Sequence, residues 1–443
     1  MTGPLDWTLA TVAAATRGVV DGDPAMRVNG VSTDSRSITS GSLFVAIRGE
    51  HHDGHDFAAP AMTAGAVASV VERGSGLDIM PRIEVEDTGD ALIDLAAHRR
   101  GELSAKVAAI TGSTGKTSTK NLLAAAIPGS WASPRSFNNE VGVPFTVLSA
   151  PGDVATLVVE VGSRGLGHIR RLAPATMPDV AVITNLGVVH LETFGTKDAL
   201  ADGKFELVEA LGERGVAVLP DDEPRLARPH PGPTITFGHS WDADVRVSDL
   251  EVDERGCPRF FLHANGASIP VQLAMSGAHN ALNAAAAAGA ALALGHRLSD
   301  IATGMAAASG SPWRMEVHEG RVTVVNDAYN ANPDSMLAAM ETVAAMPGHR
   351  VAVLGEMAEL GPVAEEEHVS IGRAAKKLGF DVITVGPDHG LAEAAGGRNV
   401  ADQAEAVRIV VEEAADGSVV LVKASRSVGL ELLAARLIEE VGS

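Results

Sequence analysis

Several things are scarce in this chain. Among its 443 residues there is one cysteine, Cys257, so neither a disulfide nor a cysteine-built metal cluster is available. Aromatic residues make up 3% of the sequence against 46% hydrophobic residues, which predicts aliphatic, alanine-rich cores. Basic residues are outnumbered, 35 to 56, giving a formal charge of −21. That balance argues against sequence-independent nucleic-acid binding, which needs a positive face for phosphates. An anionic ligand must instead be met by local lysines, helix ends and metal ions. The longest apolar run, Ala284 to Leu294, is too short to span a bilayer and reads as a buried helix. A basic segment followed by an apolar stretch is missing near the start, so a cytoplasmic, reducing setting is expected.

What is present centres on Lys106-Val-Ala-Ala-Ile-Thr-Gly-Ser-Thr-Gly-Lys-Thr-Ser-Thr-Lys120. It reads as an apolar strand from Val107 to Ile110, a glycine-rich turn, and a helix opened by Lys116 and Thr117. Glycines let such a turn close around a phosphate, and the N–H groups of the helix start point at the anion. Lys116 can reach the outer phosphates, and the Thr117 hydroxyl can hold a magnesium ion. One position departs from the generic pattern: Ile110 stands where a glycine is usual.

The length suits about three domains. Residues 1–103 read as a small α/β unit, with a helix over Leu5–Arg17 and strands at Arg27–Ser32, Ser42–Ile47, Val67–Glu72 and Arg82–Val85. Two of its loops, Ser32–Arg36 and Arg48–His55, are either ligand-facing or ordinary solvated turns. Residues 104–310 alternate buried strands with helices, as in an open parallel sheet, with an antiparallel excursion between 221 and 270. Residues 311–443 show a doubly wound pattern, in which Asn332 caps a helix that begins with Pro333.

In a parallel sheet ligands gather beyond the C-terminal strand ends. Thr117, Glu160 and His190 fall there, and a hydroxyl, a carboxylate and an imidazole beside a phosphate loop make a plausible magnesium site. Lys204 lies on the apolar stripe Leu200, Leu207, Val208 and Leu211 of a predicted helix. A lysine there either snorkels to solvent or sits buried, less basic and nucleophilic enough to take up carbon dioxide as a carbamate. Asn280 and Asn283 share one helix face and suit a base edge, helix capping being the alternative for Asn280. Arg314 precedes the last domain, placed to reach back across a cleft.

Together Thr111-Gly-Ser-Thr-Gly-Lys-Thr117, Asn138-Asn-Glu-Val-Gly-Val-Pro144, Thr184-Asn-Leu-Gly-Val-Val-His190, Gly277-Ala-His-Asn280 and Asp327-Ala-Tyr-Asn-Ala-Asn-Pro-Asp-Ser335 resemble the Mur ligases in order and spacing. The likeness continues through Leu354-Gly-Glu-Met-Ala-Glu-Leu-Gly361, His368 and Lys423-Ala-Ser-Arg426. It implies three domains: an N-terminal one for a UDP-sugar, a central P-loop ATPase-type sheet, and a Rossmann-like C-terminal one. The implied reaction joins D-alanyl-D-alanine to UDP-N-acetylmuramoyl-tripeptide through an acyl phosphate, in a monomeric cytoplasmic enzyme of cell-wall synthesis.

By the same resemblance Thr111, Gly112, Ser113, Thr114, Gly115, Lys116, Thr117 and Ser118 would hold the phosphates of ATP, and Asn283 would read adenine. Thr117 and Glu160 would bind one magnesium ion; Glu160, His190 and a carbamylated Lys204 would organise a second. Arg314 and Asp327 would meet phosphate or ribose from the closing side. Ser35, Arg36, Asn138 and Asn139 would address the nucleotide-sugar, and Tyr329, Asn330 and Asn332 the dipeptide. Asn326 and Gly203 depart from the family pattern, which usually has an acidic residue and an alanine there. The competing readings are another amide ligase of this family, including a folylpolyglutamate type, a small-molecule kinase, and a nucleotide-gated binding protein without ligase chemistry.

Overall fold

Valine, isoleucine and alanine runs, each followed by a helix, build three sheets in the computed structural model, which describes residues 5–49, 52–187 and 194–441. The central sheet has nine strands, ordered Ala267–Gln272, Pro258–Ala264, Val245–Val252, Thr234–Gly238, Val216–Pro220, Val180–Ile183, Lys106–Thr111, Thr156–Glu160 and Trp131–Ala132. Every pairing from Val245–Val252 to Trp131–Ala132 is parallel; the two pairings made by Pro258–Ala264 are antiparallel, so that strand alone runs against the others. The expected antiparallel excursion is present, and it is joined to the parallel sheet through the pairing of Val245–Val252 with Thr234–Gly238. The alanines of helix Asn280–Ala293 let it lie close on the strands: a Cβ at Gly289 would come within 2.8 Å of Val218 Cγ1.

The C-terminal sheet is ordered Glu316–His318, Thr323–Asn326, Val419–Lys423, Arg350–Leu354, Phe380–Val385 and Arg398–Val400, antiparallel only at its first pair. Separate apolar clusters cover its two faces, as a doubly wound unit requires. The N-terminal sheet is ordered Val19–Asp21, Arg82–Val85, Ala68–Glu72, Ser42–Val45 and Gly30–Ser32.

One local expectation needs correction, and one helix was not expected at all. Trp7–Thr8 forms a short strand with Arg27–Val28, and the first helix starts only at Leu9 because the Thr8 hydroxyl caps Thr11 N–H. That helix, Thr88–Glu102, joins the N-terminal sheet to the central one. Its Arg100 donates to the carbonyls of Thr176 and Met177 at 2.9 and 3.2 Å, and Arg99 to that of Ala150 at 3.0 Å. A single apolar cluster runs from Val28, Leu43 and Val70 through Leu92 to Val107 and Val159. Among the described residues no helix is long and apolar enough to cross a membrane.

Candidate active site

Residues just beyond the central strand ends and the facing edge of the C-terminal sheet line a cleft of about 1220 Å³. The glycine-rich turn forms its floor. Gly112 and Gly115 have φ of 145° and 78°; a Cβ would lie 1.9 Å from Thr184 Oγ1 at the first and 2.2 Å from Asn283 Oδ1 at the second. Asn185 pins the turn, its Oδ1 accepting from Thr114 N–H at 3.0 Å and its Nδ2 donating to the Thr114 hydroxyl at 2.7 Å. Ile110 is fully buried in the strand, so its departure from the loop pattern reflects a core position. Lys116 Nζ folds onto the turn, donating to the carbonyls of Gly112 and Ser113 at 2.7 and 3.0 Å. Burial lowers its pKa to about 8; Glu160 opposes that shift and Arg314 adds to it.

Beside the turn lies an oxygen pair. The Thr117 hydroxyl donates to Glu160 Oε2 at 2.9 Å, and Asn138 Nδ2 donates to Glu160 Oε1 at 2.7 Å. Glu160 is 1% exposed, and its N–H donates to the Ser133 hydroxyl at 3.0 Å. Lys120, also buried, holds this loop by donating to the carbonyls of Ser133 and Arg135 at 2.7 and 2.5 Å. A hydroxyl and a carboxylate suit magnesium, which keeps several waters and phosphate oxygens as its remaining ligands. Among the described residues no three His, Cys, Asp or Glu side chains converge, and His190 lies outside the described residues.

Lys204 points inward from helix Lys197–Glu209 and is 1% exposed, so the snorkelling alternative is not realised. Burial, and then nearby Lys116, hold its pKa well below the ordinary lysine value. Its Nζ lies 6.0 Å from the centre of the Phe194 ring. Gly203 explains itself here, since a Cβ would come within 2.5 Å of Phe194 Cε1. Lys204 is not among the residues that line the cleft.

Asn283 and Asn280 share a helix face as expected, Asn283 Nδ2 donating to Asn280 Oδ1 at 2.9 Å. The capping alternative is not realised: His279 occupies the N-cap position, and Asn280 Nδ2 donates back to Ser276 O at 2.8 Å. From the opposite side Arg314 Nη2 donates to the Thr117 hydroxyl at 3.3 Å. Asp327 is already engaged, Oδ1 accepting from Met315 N–H at 3.0 Å and Oδ2 from Lys423 Nζ at 2.6 Å. Lys423 also donates to Asn330 O at 2.8 Å, and Asn332 caps helix Pro333–Ala345 in a capping box with Ser335.

The cleft thus gathers Ser113 through Ser118, Asn138, Asn139, Glu160, Asn283, Arg314, Asp327, Tyr329, Asn330 and Asn332. Thr111 and Gly112 shape it from below. Ser35 and Arg36 are not brought there; Arg36 forks onto Asp34 of its own turn at 2.9 and 2.8 Å. Lys120, Asn185 and Ser133 escaped the sequence reading. Lys120 was findable, being a lysine on the inward face of a helix, four residues after Lys116.

Family profiles described as Mur ligase family, catalytic domain; Mur ligase middle domain; and Mur ligase, glutamate ligase domain match residues 27–100, 110–291 and 313–426. The UDP-N-acetylmuramoyl-tripeptide–D-alanyl-D-alanine ligase of Escherichia coli (strain K12) is 36% identical over 94% of this chain and 95% of its own. The same-named enzyme of Bacillus subtilis (strain 168) is 32% identical over 93% of each chain. A crystal structure of MurF from Acinetobacter baumannii superposes with a TM-score of 0.90 at 31% identity, covering 99% of this chain and 100% of that one. MurF ligase from Thermotoga maritima in complex with ADP gives 0.84 at 30% identity, over 93% and 97%. With profiles matched in all three sheets and relatives aligned end to end, the chain belongs to the Mur ligase family.

Proposed function

We propose that this protein joins D-alanyl-D-alanine to UDP-N-acetylmuramoyl-tripeptide, converting ATP to ADP and phosphate, in cytoplasmic peptidoglycan precursor synthesis. Residues 1–103, 104–310 and 311–443 would be its three domains. The observation that carries the reading is the meeting, in one cleft, of the Lys116 turn, the Thr117–Glu160 pair and Arg314 from the opposite side. The names of the full-length relatives supply the substrates.

A carboxylate expels oxide poorly, so the tripeptide carboxylate first takes the γ-phosphoryl group of ATP, releasing ADP. The dipeptide amine then attacks the acyl carbon, loses a proton, and phosphate departs as the amide forms. Bringing a carboxylate onto a triphosphate sets anion against anion. Lys116, Arg314 and the turn amides oppose that repulsion, and an acidic chain needs such cations concentrated at one edge. Thr117 and Glu160 would hold one magnesium ion, and Glu160, His190 and a carbamate on Lys204 a second; both would supply further neutralisation when bound. The Lys204 environment fits such a carbamate: a buried amine beside a second amine gives up its proton more readily than an ordinary lysine, and only a neutral amine adds to carbon dioxide. Asn283 would face adenine. Asn138 and Asn139 would lie toward the nucleotide-sugar, and Asn330 and Asn332 toward the dipeptide.

Purified protein with ATP, magnesium, UDP-N-acetylmuramoyl-tripeptide and D-alanyl-D-alanine should yield the pentapeptide product, read by mass, with one ADP per amide. Phosphate release that another amine triggers better, or a stable phosphorylated product, would overturn this assignment in favour of a sister ligase or a kinase.

A further inference from the structure

Arg314 is held from an unusual piece of backbone. Trp313 and Met315, the residues on either side of it, both have left-handed φ, 60° and 50°, although neither is glycine. Such a conformation persists only where neighbours fix it. Here Trp313 N–H donates to Glu316 Oε2 at 3.1 Å, Trp313 O accepts from Tyr329 N–H at 3.0 Å, and Met315 N–H donates to Asp327. The guanidinium of Arg426 stacks on the Trp313 ring at 4.5 Å. The segment is a fixed bracket with Arg314 at its tip.

What orients the tip is a ring. Arg314 Cζ lies 3.9 Å from the centre of the Tyr329 ring, with one Nη2 hydrogen bond to Thr117. Arg314 Nε is buried and has no hydrogen-bond partner among the described residues, which engage the guanidinium only in part. We propose that Tyr329 is a positioning residue for phosphoryl transfer: its face is the platform that directs the Arg314 fork across the cleft at the phosphate turn. A flexible arginine side chain aimed in advance loses less freedom when the anion arrives, and the aromatic face attracts its charge without competing for its N–H donors. The sequence reading set Tyr329 beside the dipeptide; its contact with Arg314 points to a task of another kind, which that reading did not contain. This inference rests on the ligase reading above, because it assigns Arg314 to the transferred phosphate.

Tyr329 is the only tyrosine of the chain, which makes the stack directly observable. Protein labelled with 3-fluorotyrosine should give one fluorine resonance, and Arg314→Ala should shift it in the absence of any ligand. In the ligation assay Tyr329→Leu should lower kcat/KM for ATP by about 3- to 30-fold, the range expected of a cation–ring contact. Tyr329→Phe should restore it to within about threefold, because the ring face is kept. In the Arg314→Ala background Tyr329→Leu should have no further effect, which a merely structural role would not produce. Losses that multiply in the double variant, or a fluorine resonance unmoved by Arg314→Ala, would overturn the proposal. Wild-type protein without dipeptide-dependent ADP formation would instead overturn the ligase reading, and the fluorine shift would still decide whether the stack exists.

Discussion

The central sheet meets its two neighbours in opposite ways. Toward the N-terminal sheet the contact is apolar and continuous, one core shared through helix Thr88–Glu102, with Arg99 and Arg100 satisfied by carbonyls across the join. Toward the C-terminal sheet the contacts are mostly polar. Asn121 Nδ2 donates to Ser311 Oγ at 2.9 Å, Ala278 N–H to the Thr342 hydroxyl at 3.2 Å and Arg314 Nη2 to the Thr117 hydroxyl at 3.3 Å, Arg255 pairs with Glu319 at 3.1 Å, Gly256 lies against Thr342 and Met346, and a broad cleft opens beside them. Parting an apolar core exposes it to water, whereas a polar join can exchange its hydrogen bonds with solvent at small net cost. The N-terminal pair should therefore behave as one body, and the C-terminal sheet should be the element that opens and closes over substrates. The catalytic candidates sit at the join that can part.

That contrast can be broken at graded cost. Glu160→Gln, at the polar join, should lower kcat about 10²- to 10³-fold while the fold survives, as steady-state rates and circular dichroism would show. Lys423→Met leaves Asp327 buried with only the Met315 N–H, and should cost about 3–5 kcal/mol in denaturant unfolding, confined to the C-terminal sheet. Leu92→Ala, within the shared core, should cost about 2–5 kcal/mol and lower the N-terminal and central units together; separate transitions for the two would refute the single-body account. A smaller effect attaches to pH. Lys116 loses its proton near pH 8 without ligand, and phosphates favour its charged form. ATP affinity should accordingly be full below that pH and fall above it by up to about tenfold per unit, with proton uptake on binding seen by calorimetry in buffers of different ionisation enthalpy. Lys116→Arg should flatten that slope. Least of all, Arg255→Ala removes an ion pair whose partners are 60% and 61% exposed, and should change unfolding by under about 0.5 kcal/mol.

The phosphate turn was legible because its signal is local: glycines, lysine and threonine at fixed spacing between a strand and a helix. Lys204 was legible because helical periodicity exposes a misfit in an apolar stripe. The Asn332 cap, with Pro333 after it, needed only adjacent residues. Helix Thr88–Glu102 was missed although Thr88, Ala91, Leu92, Leu95, Ala96 and Arg99 share one buried stripe, because that stripe carries a threonine and an arginine and so reads as weakly apolar. The engagement of Asp327 was also hidden. It requires Thr323–Asn326 to pair with Val419–Val422, which brings Lys423 to a residue far away in sequence. Asn280 and Asn283 were readable as neighbours on a helix face, but not their mutual hydrogen bond.

The proposed reaction turns on a group that can be looked for directly, the carbamate proposed on the buried Lys204 amine. Protein equilibrated with ¹³C-bicarbonate should show a protected carbamate carbon resonance that is absent from Lys204→Ala, and that variant should regain part of its lost ligation when a short carboxylate is added. Full turnover by protein lacking any such resonance, or by Lys204→Ala without added carboxylate, would contradict the account.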